Sequence, residues 1–457
     1  MTTAPTTAPT TAPAAPPSAP QRMRVLFLVH EFPVLSQTFI VNQALGLLAQ
    51  GHDLTIGCLV DTPVMEPIHG EVLGTGLLDR VRRPVPVPPG PVRRLGSALR
   101  LLRAGRVGPA TGLSLLDPVR HGRDGPTLRA LHRLAPLAGL PPFDVIHAQF
   151  GTVAVEALHL RRAGIIRGRL LTSFRGYDIS STLHRHGPCH YADLFREGDW
   201  FLTNCRFFRD RLLDLGCPGE RLSILPSGLD LARFPLVERA AWDGGRPIEL
   251  LFVGRLVAKK GVEDAIRAVA GARMAGIPLR LTIVGDGPLR RELGDLAAGI
   301  GLGENVVFTG AATGAEIRAR LAVADLFIAP SRTAPDGDQD APTNVLKEAM
   351  ASGLPVIATR HGGIPELVED GVSGHLAGEG EPAALAAILC RLAGRPEAWA
   401  AMGQAGRARV AAEYDLERLN GDLCTNYAAM LDSPAPQALP ARPGRQPMAR
   451  RAPAVGA

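Results

Sequence analysis

Residues 248–261 read Ile-Glu-Leu-Leu-Phe-Val-Gly-Arg-Leu-Val-Ala-Lys-Lys-Gly. The first six form a short run dominated by apolar residues, which is how a parallel strand buried on both faces reads. Gly254 permits a tight turn after it. A helical pattern over 261–275 follows, then Leu279-Arg-Leu-Thr-Ile-Val284 as the next strand, and residues 306–308, 326–328 and 355–358 continue the alternation. Arg255 and Lys260 fall in the loop and the first helical turn. Two cations beside a helix N-terminus suit an anion such as a diphosphate, and they also read as ordinary solvated surface charges.

The same pattern runs upstream. Arg24-Val-Leu-Phe-Leu-Val-His30 reads as a buried strand, 37–50 as a helix closed by Gly51, and 54–60 as a second strand. That is a βαβ unit with a right-handed crossover. Residues 61–142 are rich in Arg, Pro and Gly and read as loops with short helices. Strands return at 144–148, 170–174, 200–204 and 221–225, before a turn-rich linker holding Pro226, Gly228, Pro235, Gly244, Gly245 and Pro247. The class is therefore α/β: two doubly wound parallel units, with ligands expected beyond the C-terminal strand ends, in the cleft between them. A chain of 457 residues also exceeds what one core usually organises. The expected domains are 23–232 and 233–408. The Thr/Ala/Pro segment 1–22 and the Pro/Ala/Arg-rich 432–457 are expected to be disordered tails.

Charge is local. Of a net +6, residues 23–431 hold only +2, yet 80–133 contain twelve arginines against Asp117 and Asp124. Along Arg93–Arg103 a helix would place Leu95, Leu99 and Leu102 on one face and Arg93 and Arg100 opposite, with Arg103 at the edge. This reads either as a solvated Arg-rich helix or as a peripheral contact with an anionic membrane, each cation contributing ~1 kcal/mol there. The stretch lacks interleaved aromatics and the chain is 5% aromatic, which speaks against nucleic acid. No run approaches the ~20 apolar residues of a membrane span. Residues 1–22 lack the hydrophobic stretch of a signal peptide. Six scattered cysteines fit a reducing cytoplasm.

A second segment, Asp340-Ala-Pro-Thr-Asn-Val-Leu-Lys-Glu348, puts Pro342 in the first turn of a helix running to about Ser352. Free amides at the start of this helix, those of Thr343 and Asn344 since Pro342 has none, would face phosphate oxygens, Asp340 a sugar hydroxyl, and Glu348 a ribose. An ordinary acid-rich helix start is the plainer reading. Gly285-Asp-Gly287-Pro lacks the third glycine of a dinucleotide fingerprint, because position 290 is Arg. Asp336, Asp338 and Asp340 begin like a calcium loop, but Ala341 and Lys347 stand where Gly and Glu are needed. His184, His186, Cys189 and His190 read as a polar loop.

These pieces together resemble the family-4 glycosyltransferases of the GT-B fold. They are Gly254-Arg255…Lys260-Gly261, Val284-Gly-Asp-Gly-Pro288, Asp340…Glu348, Glu348-Ala-Met-Ala-Ser-Gly-Leu-Pro-Val356 and Gly362-Gly-Ile-Pro-Glu366. The likeness spans about 24–431 and is strongest over 224–385. Phe32-Pro-Val-Leu-Ser-Gln-Thr-Phe-Ile40, Phe174-Arg-Gly-Tyr-Asp178 and Asp336-Gly-Asp-Gln-Asp340 are similar to the exopolysaccharide, colanic-acid-type members.

The resemblance implies a retaining hexosyltransferase working without metal or cofactor, taking a UDP- or GDP-sugar to a saccharide or lipid-linked saccharide. It implies Arg255, Lys260 and Asp340 as the catalytic set, with Gly254, Gly285, Gly287, Thr343, Asn344 and Glu348 around the donor. It places Ser36, His147, Arg175 and Asp178 toward the acceptor, and a final helix over 409–431 back across the first domain. Two positions depart from the pattern: Asp340 replaces the usual Glu, and Arg175 stands where many members carry His. His147 also reads as a buried strand-end histidine. A GT-B epimerase acting on nucleotide sugars and a non-catalytic GT-B scaffold are the rival readings.

Overall fold

A computed structural model of the chain describes residues 22–34, 37–61, 74–104 and 125–436, with positions 72, 107, 112, 115 and 116. Both expected tails lie almost wholly outside these residues, as does Ser36. The first sheet has seven strands: β1 (Arg24–Val29), β2 (Asp53–Cys58), β3 (Val81–Arg82), β4 (Val145–Ala148), β5 (Arg169–Phe174), β6 (Trp200–Thr203) and β7 (Leu222–Ile224). They are parallel throughout, in the order β3-β2-β1-β4-β5-β6-β7. The second has six: β8 (Ile248–Val253), β9 (Leu279–Val284), β10 (Val306–Gly310), β11 (Leu326–Ala329), β12 (Val356–Thr359) and β13 (Gly374–Ala377). Their order is β10-β9-β8-β11-β12-β13, again parallel. In both sheets the order reverses beside the first strand, which opens a crevice at the C-terminal strand ends.

Val25 to Val29 and Leu250 to Phe252 are almost wholly buried, as strands covered on both faces must be. Helix Val262–Met274 follows β8 and turns Ala265, Ile266, Ala268, Val269 and Ala272 into the core. It starts at Gly261, which is left-handed at φ +61, and a Cβ there would collide with the carbonyl oxygen of Pro330. Two edge strands, β3 and β13, went unread in the sequence. The first is two residues in an Arg/Pro-rich stretch, and the second, Gly-His-Leu-Ala, carries no β-branched residue.

Near the C-terminus, the helix Trp399–Glu413 packs on Asn344–Ala351, where Gly406 lies against Met350. The boundary expected at 408/409 therefore falls inside a continuous helix, because no breaker interrupts it and its glycines serve close packing. The chain crosses at Tyr414–Asp415, where Asp415 bridges to Leu229 of the linker. Asp415 then caps the helix Leu416–Asp432 by accepting from the Arg418 amide at 2.9 Å. Leu419, Leu423, Tyr427 and Met430 of this helix are buried in the first domain's core. Each such side chain contributes about 2 kcal/mol of gross burial. Among the described residues no helix is long and apolar enough to cross a membrane.

Candidate functional site

Loops leaving β8, β9, β11 and β12 meet at the C-terminal end of the second sheet. Gly254 N–H donates to the Val284 carbonyl and Leu256 N–H to the Asp286 carbonyl, both at 2.9 Å. Gly285 and Gly287 lie so close to the Gly254 and Leu256 backbones that any Cβ would collide. Gly285 also sits at φ +137, open to glycine almost alone. The expected donor-side glycines thus share one backbone contact.

The turn Ala258–Lys260 presents two lysines. Lys260 Nζ lies 2.6 Å from Asp340 Oδ2. Lys259 Nζ, more deeply buried, lies 2.8 Å from Asp338 Oδ2 and 3.1 Å from Asp340 Oδ1. Burial alone would raise the Asp340 carboxyl, but Lys260 and then Lys259 outweigh it and hold it well below the usual carboxylate range. Burial would likewise lower Lys259, and Asp340 and Asp338 reverse that, raising it.

Asp340 is fixed through its backbone as well. Its N–H donates to His361 Nε2 at 2.9 Å, so that nitrogen carries no proton. The proton sits on Nδ1, which donates to Glu379 Oε1 at 2.6 Å. Glu379 in turn accepts from the Thr333 amide at 2.7 Å.

The helix after Asp340 runs Asn344–Ala351, with Thr343 at the N-cap. It begins later than expected, because Thr343 is still extended at φ −72 and ψ 143, which leaves Pro342 ahead of the helix. The Leu346 and Lys347 amides already point at Thr343 O, at 3.2 and 3.3 Å. The donors left at this end are those of Asn344 and Val345. Glu348 is half-buried one turn on, and its charge acts on Lys347. Arg255 is exposed, and among the described residues it forms no ion pair. Lys260 and Asp340 are therefore brought together, while among the described residues no hydrogen bond or ion pair joins Arg255 to either, or to Glu348.

On the first-domain side, His147 is wholly buried. It hydrogen-bonds Ser173 Oγ at 2.7 Å and Tyr427 Oη at 2.8 Å, beneath the C-terminal helix. Burial, with Arg175 adding to it, lowers its pKa well below normal. Asp178 is also wholly buried and accepts from the amides of Gly151, Arg175 and Gly176 at 2.8, 3.0 and 2.8 Å. Neither side chain faces the cleft, which corrects the expectation for both: one is a core histidine, the other the organiser of its loop. Arg175 is half-buried, on a loop whose next residue, Gly176, lies close to the Gln339 carbonyl of the other lobe. It donates to Gln43, Gln149 and Ser227 at 3.1, 2.9 and 3.3 Å and covers the Phe39 ring at 4.2 Å. Burial pushes its pKa down to about 10.

The two lobes touch through groups to which the sequence assigned no such role. Ser180 Oγ accepts from the Gln339 amide and lies 3.2 Å from Asp338 Oδ1. Glu366 accepts from the Arg206 and Phe207 amides at 2.8 Å each, at the start of helix Arg206–Asp214. Lys347 Nζ donates to the Ser227 carbonyl at 2.7 Å and sits 4.8 Å from the centre of the Tyr414 ring. Burial depresses its pKa to about 7. Arg175 Nε, Asn204 Oδ1, Gln339 Oε1 and Thr343 Oγ1, on loops of both lobes, are buried without a hydrogen-bond partner. Such orphans are costly unless a ligand or water completes them. Among the described residues no His/Cys/Asp/Glu group is arranged to hold a metal ion; His184 and His186 lie on the short helix Ser181–His186, and Cys189 and His190 on the helical turn Pro188–Tyr191, rather than in the loop expected.

Comparison with known proteins agrees with this geometry. Residues 247–395 match the family described as glycosyl transferases group 1. The chain is 35% identical over 369 residues to the colanic acid biosynthesis glycosyltransferase WcaL of Salmonella typhimurium, covering 80% of this chain and 90% of that protein. It is 33% identical over 398 residues to the amylovoran biosynthesis glycosyltransferase AmsK of Erwinia amylovora, covering 86% and 96%. Anabaena HepE, solved in complex with UDP and glucose, aligns with a TM-score of 0.64 at 20% identity, over 89% of this chain and 100% of that one. The sucrose-phosphate synthase of Thermosynechococcus elongatus gives 0.63 at 19%, over 90% and 99%. The shared architecture is the GT-B fold.

Proposed function

The chain belongs to the group 1 glycosyl transferases, and on that premise we propose that it moves a hexose from a UDP- or GDP-sugar to a saccharide or lipid-linked saccharide in exopolysaccharide synthesis. Anomeric configuration is retained in this reading and no metal takes part. The observation that carries it is the Lys260–Asp340 contact at 2.6 Å, set where four strand-end loops meet the opposing lobe. Negative charge grows on the diphosphate as the glycosidic bond breaks. A cation already held in place, as Lys260 is, stabilises that charge more in the transition state than in the ground state.

Lys260 and Arg255 take the diphosphate, with the Asn344 and Val345 amides beside it. Asp340 accepts hydroxyl hydrogen bonds from the sugar, and Glu348 serves the ribose. Support for the nucleotide comes from HepE, which shares the fold and whose structure holds UDP. Support for the acceptor comes from relatives named for colanic acid and amylovoran synthesis. The enzyme works from the cytoplasm, resting peripherally on the inner face of the membrane where a lipid-linked acceptor is presented.

Thermal unfolding in UDP, GDP and other nucleoside diphosphates tests this directly. A ligand at about 100 times its dissociation constant adds ~2.7 kcal/mol of stability. The expected result is a rise with UDP or GDP, and release of that nucleotide when donor and acceptor are mixed. No rise with any nucleoside diphosphate would overturn the reading.

A further inference from the structure

We propose that the helix Pro91–Arg103, with the arginine-lined hollow beside its first turn, is a docking surface for an anionic lipid bilayer. The purpose rests on the function proposed above, but the surface is argued from its own geometry. Ala98 is buried and Arg94, Ser97 and Leu101 are half-buried, so this face packs on the protein. In a helix serving only the core, the apolar stripe would be the packed one. Here it points to solvent: Val92, Leu95, Leu99 and Leu102 are 81%, 53%, 44% and 36% exposed. Their spacing of three, four and three residues aligns them along one side. A row of aliphatic side chains held outward marks an interaction site.

Charge identifies the occupant. Between Arg83 and Phe143 the described residues carry six arginines and no Asp or Glu. Val87, Pro88, Pro89, Arg94, Arg129 and Arg133 line a hollow of about 430 Å³. Arg94 is set in its wall by bonds to the Pro88 and Thr127 carbonyls, both 3.1 Å. Two such surfaces facing each other would bring only like charges together, which disfavours a second copy. Aliphatic groups at the acyl boundary and guanidinium groups among phosphate head groups satisfy both halves of the surface.

Co-sedimentation of the full chain with vesicles tests it, using phosphatidylcholine alone and phosphatidylcholine mixed with phosphatidylglycerol. The wild type is expected to pellet with the mixed vesicles, less so as salt rises, and to stay in solution with the neutral ones. Arg129→Gln should weaken partition about fivefold, the effect of one cation near such a surface. Leu95→Asp with Leu99→Asp, both exposed and so tolerated by the fold, should abolish it. Unchanged pelleting of the double variant, or equal binding to neutral vesicles, overturns the proposal. So does a dimer by light scattering that the double variant dissociates, since the stripe would then be a self-interface. Stabilisation by UDP or GDP should be the same in wild type and variants. Its loss from the wild type would sink the proposed function and leave the docking result standing.

Discussion

Replacing Lys260 by Met removes one of the two cations that hold Asp340. Breaking a buried ion pair by deleting one partner costs about 3–5 kcal/mol. Here the loss should be smaller, on the order of 1–2 kcal/mol, because Lys259 stays 3.1 Å from the other carboxylate oxygen. The catalytic loss is separate: one fixed group opposite a developing charge is worth about 2.7–4 kcal/mol, or 10²–10³ in kcat. The two effects fall on different measurements. Thermal unfolding should drop by a few degrees, while nucleotide release in the transfer assay should fall at least a hundredfold in kcat. Lys260→Arg keeps a cation at the site and should recover part of both. A folded Lys260→Met protein with wild-type turnover would refute the assigned role. A variant that fails only because it is unfolded is recognised by its lost unfolding transition, and the Arg variant then decides.

Lys347 makes stability depend on pH. Its native pKa of about 7 lies below the ordinary lysine value, so between there and about pH 10 the unfolded chain binds a proton the native chain has released. Stability should therefore rise with pH across that window, and Lys347→Met should remove the rise. Denaturant titrations at both ends check this, and an unaltered slope in the variant would show that the amine is not the source. Gly285→Ala forces a Cβ into the Gly254 carbonyl at a backbone angle of +137°. It should cost at least about 2 kcal/mol and lower the melting temperature; an unchanged melting temperature refutes the close approach.

What was legible in the sequence was whatever repeats locally. Among the described residues, apolar runs announced eleven of the thirteen strands because parallel strands are buried on both faces. Glycine-marked junctions announced the loops, and Gly285 and Gly287 do abut Gly254 and Leu256. The two missed strands are edges, where burial writes a weaker pattern. The misplaced domain crossing has the same origin: nothing local distinguishes residues 399–408 from 409–413 of one helix. Site residues that act at long range left almost no signal. Glu379 and His361 stand 18 positions apart, and Ser180 and Asp338 158 apart, and only folding joins them. Lys259 was visible only as the first of a lysine doublet, with nothing to say that it, rather than Lys260, would be the buried one.

That doublet explains how an acid can be both buried and available. A lone carboxylate at the Asp340 position would lose its counter-charge whenever Lys260 turned to a phosphate. An uncompensated buried charge there would cost several kcal/mol. Lys259 prevents this, because its contacts to Asp338 and Asp340 do not depend on Lys260. His361 and Glu379 hold the backbone at the same point. The shorter Asp in place of the family's Glu then acquires a physical sense. Two fixed ammonium groups already hold its carboxylate, so its reach is set by them rather than by a flexible extra methylene. On the proposed reading, an arriving diphosphate exchanges only the Lys260 half of the arrangement, and the acid meets the sugar in the position it already occupies.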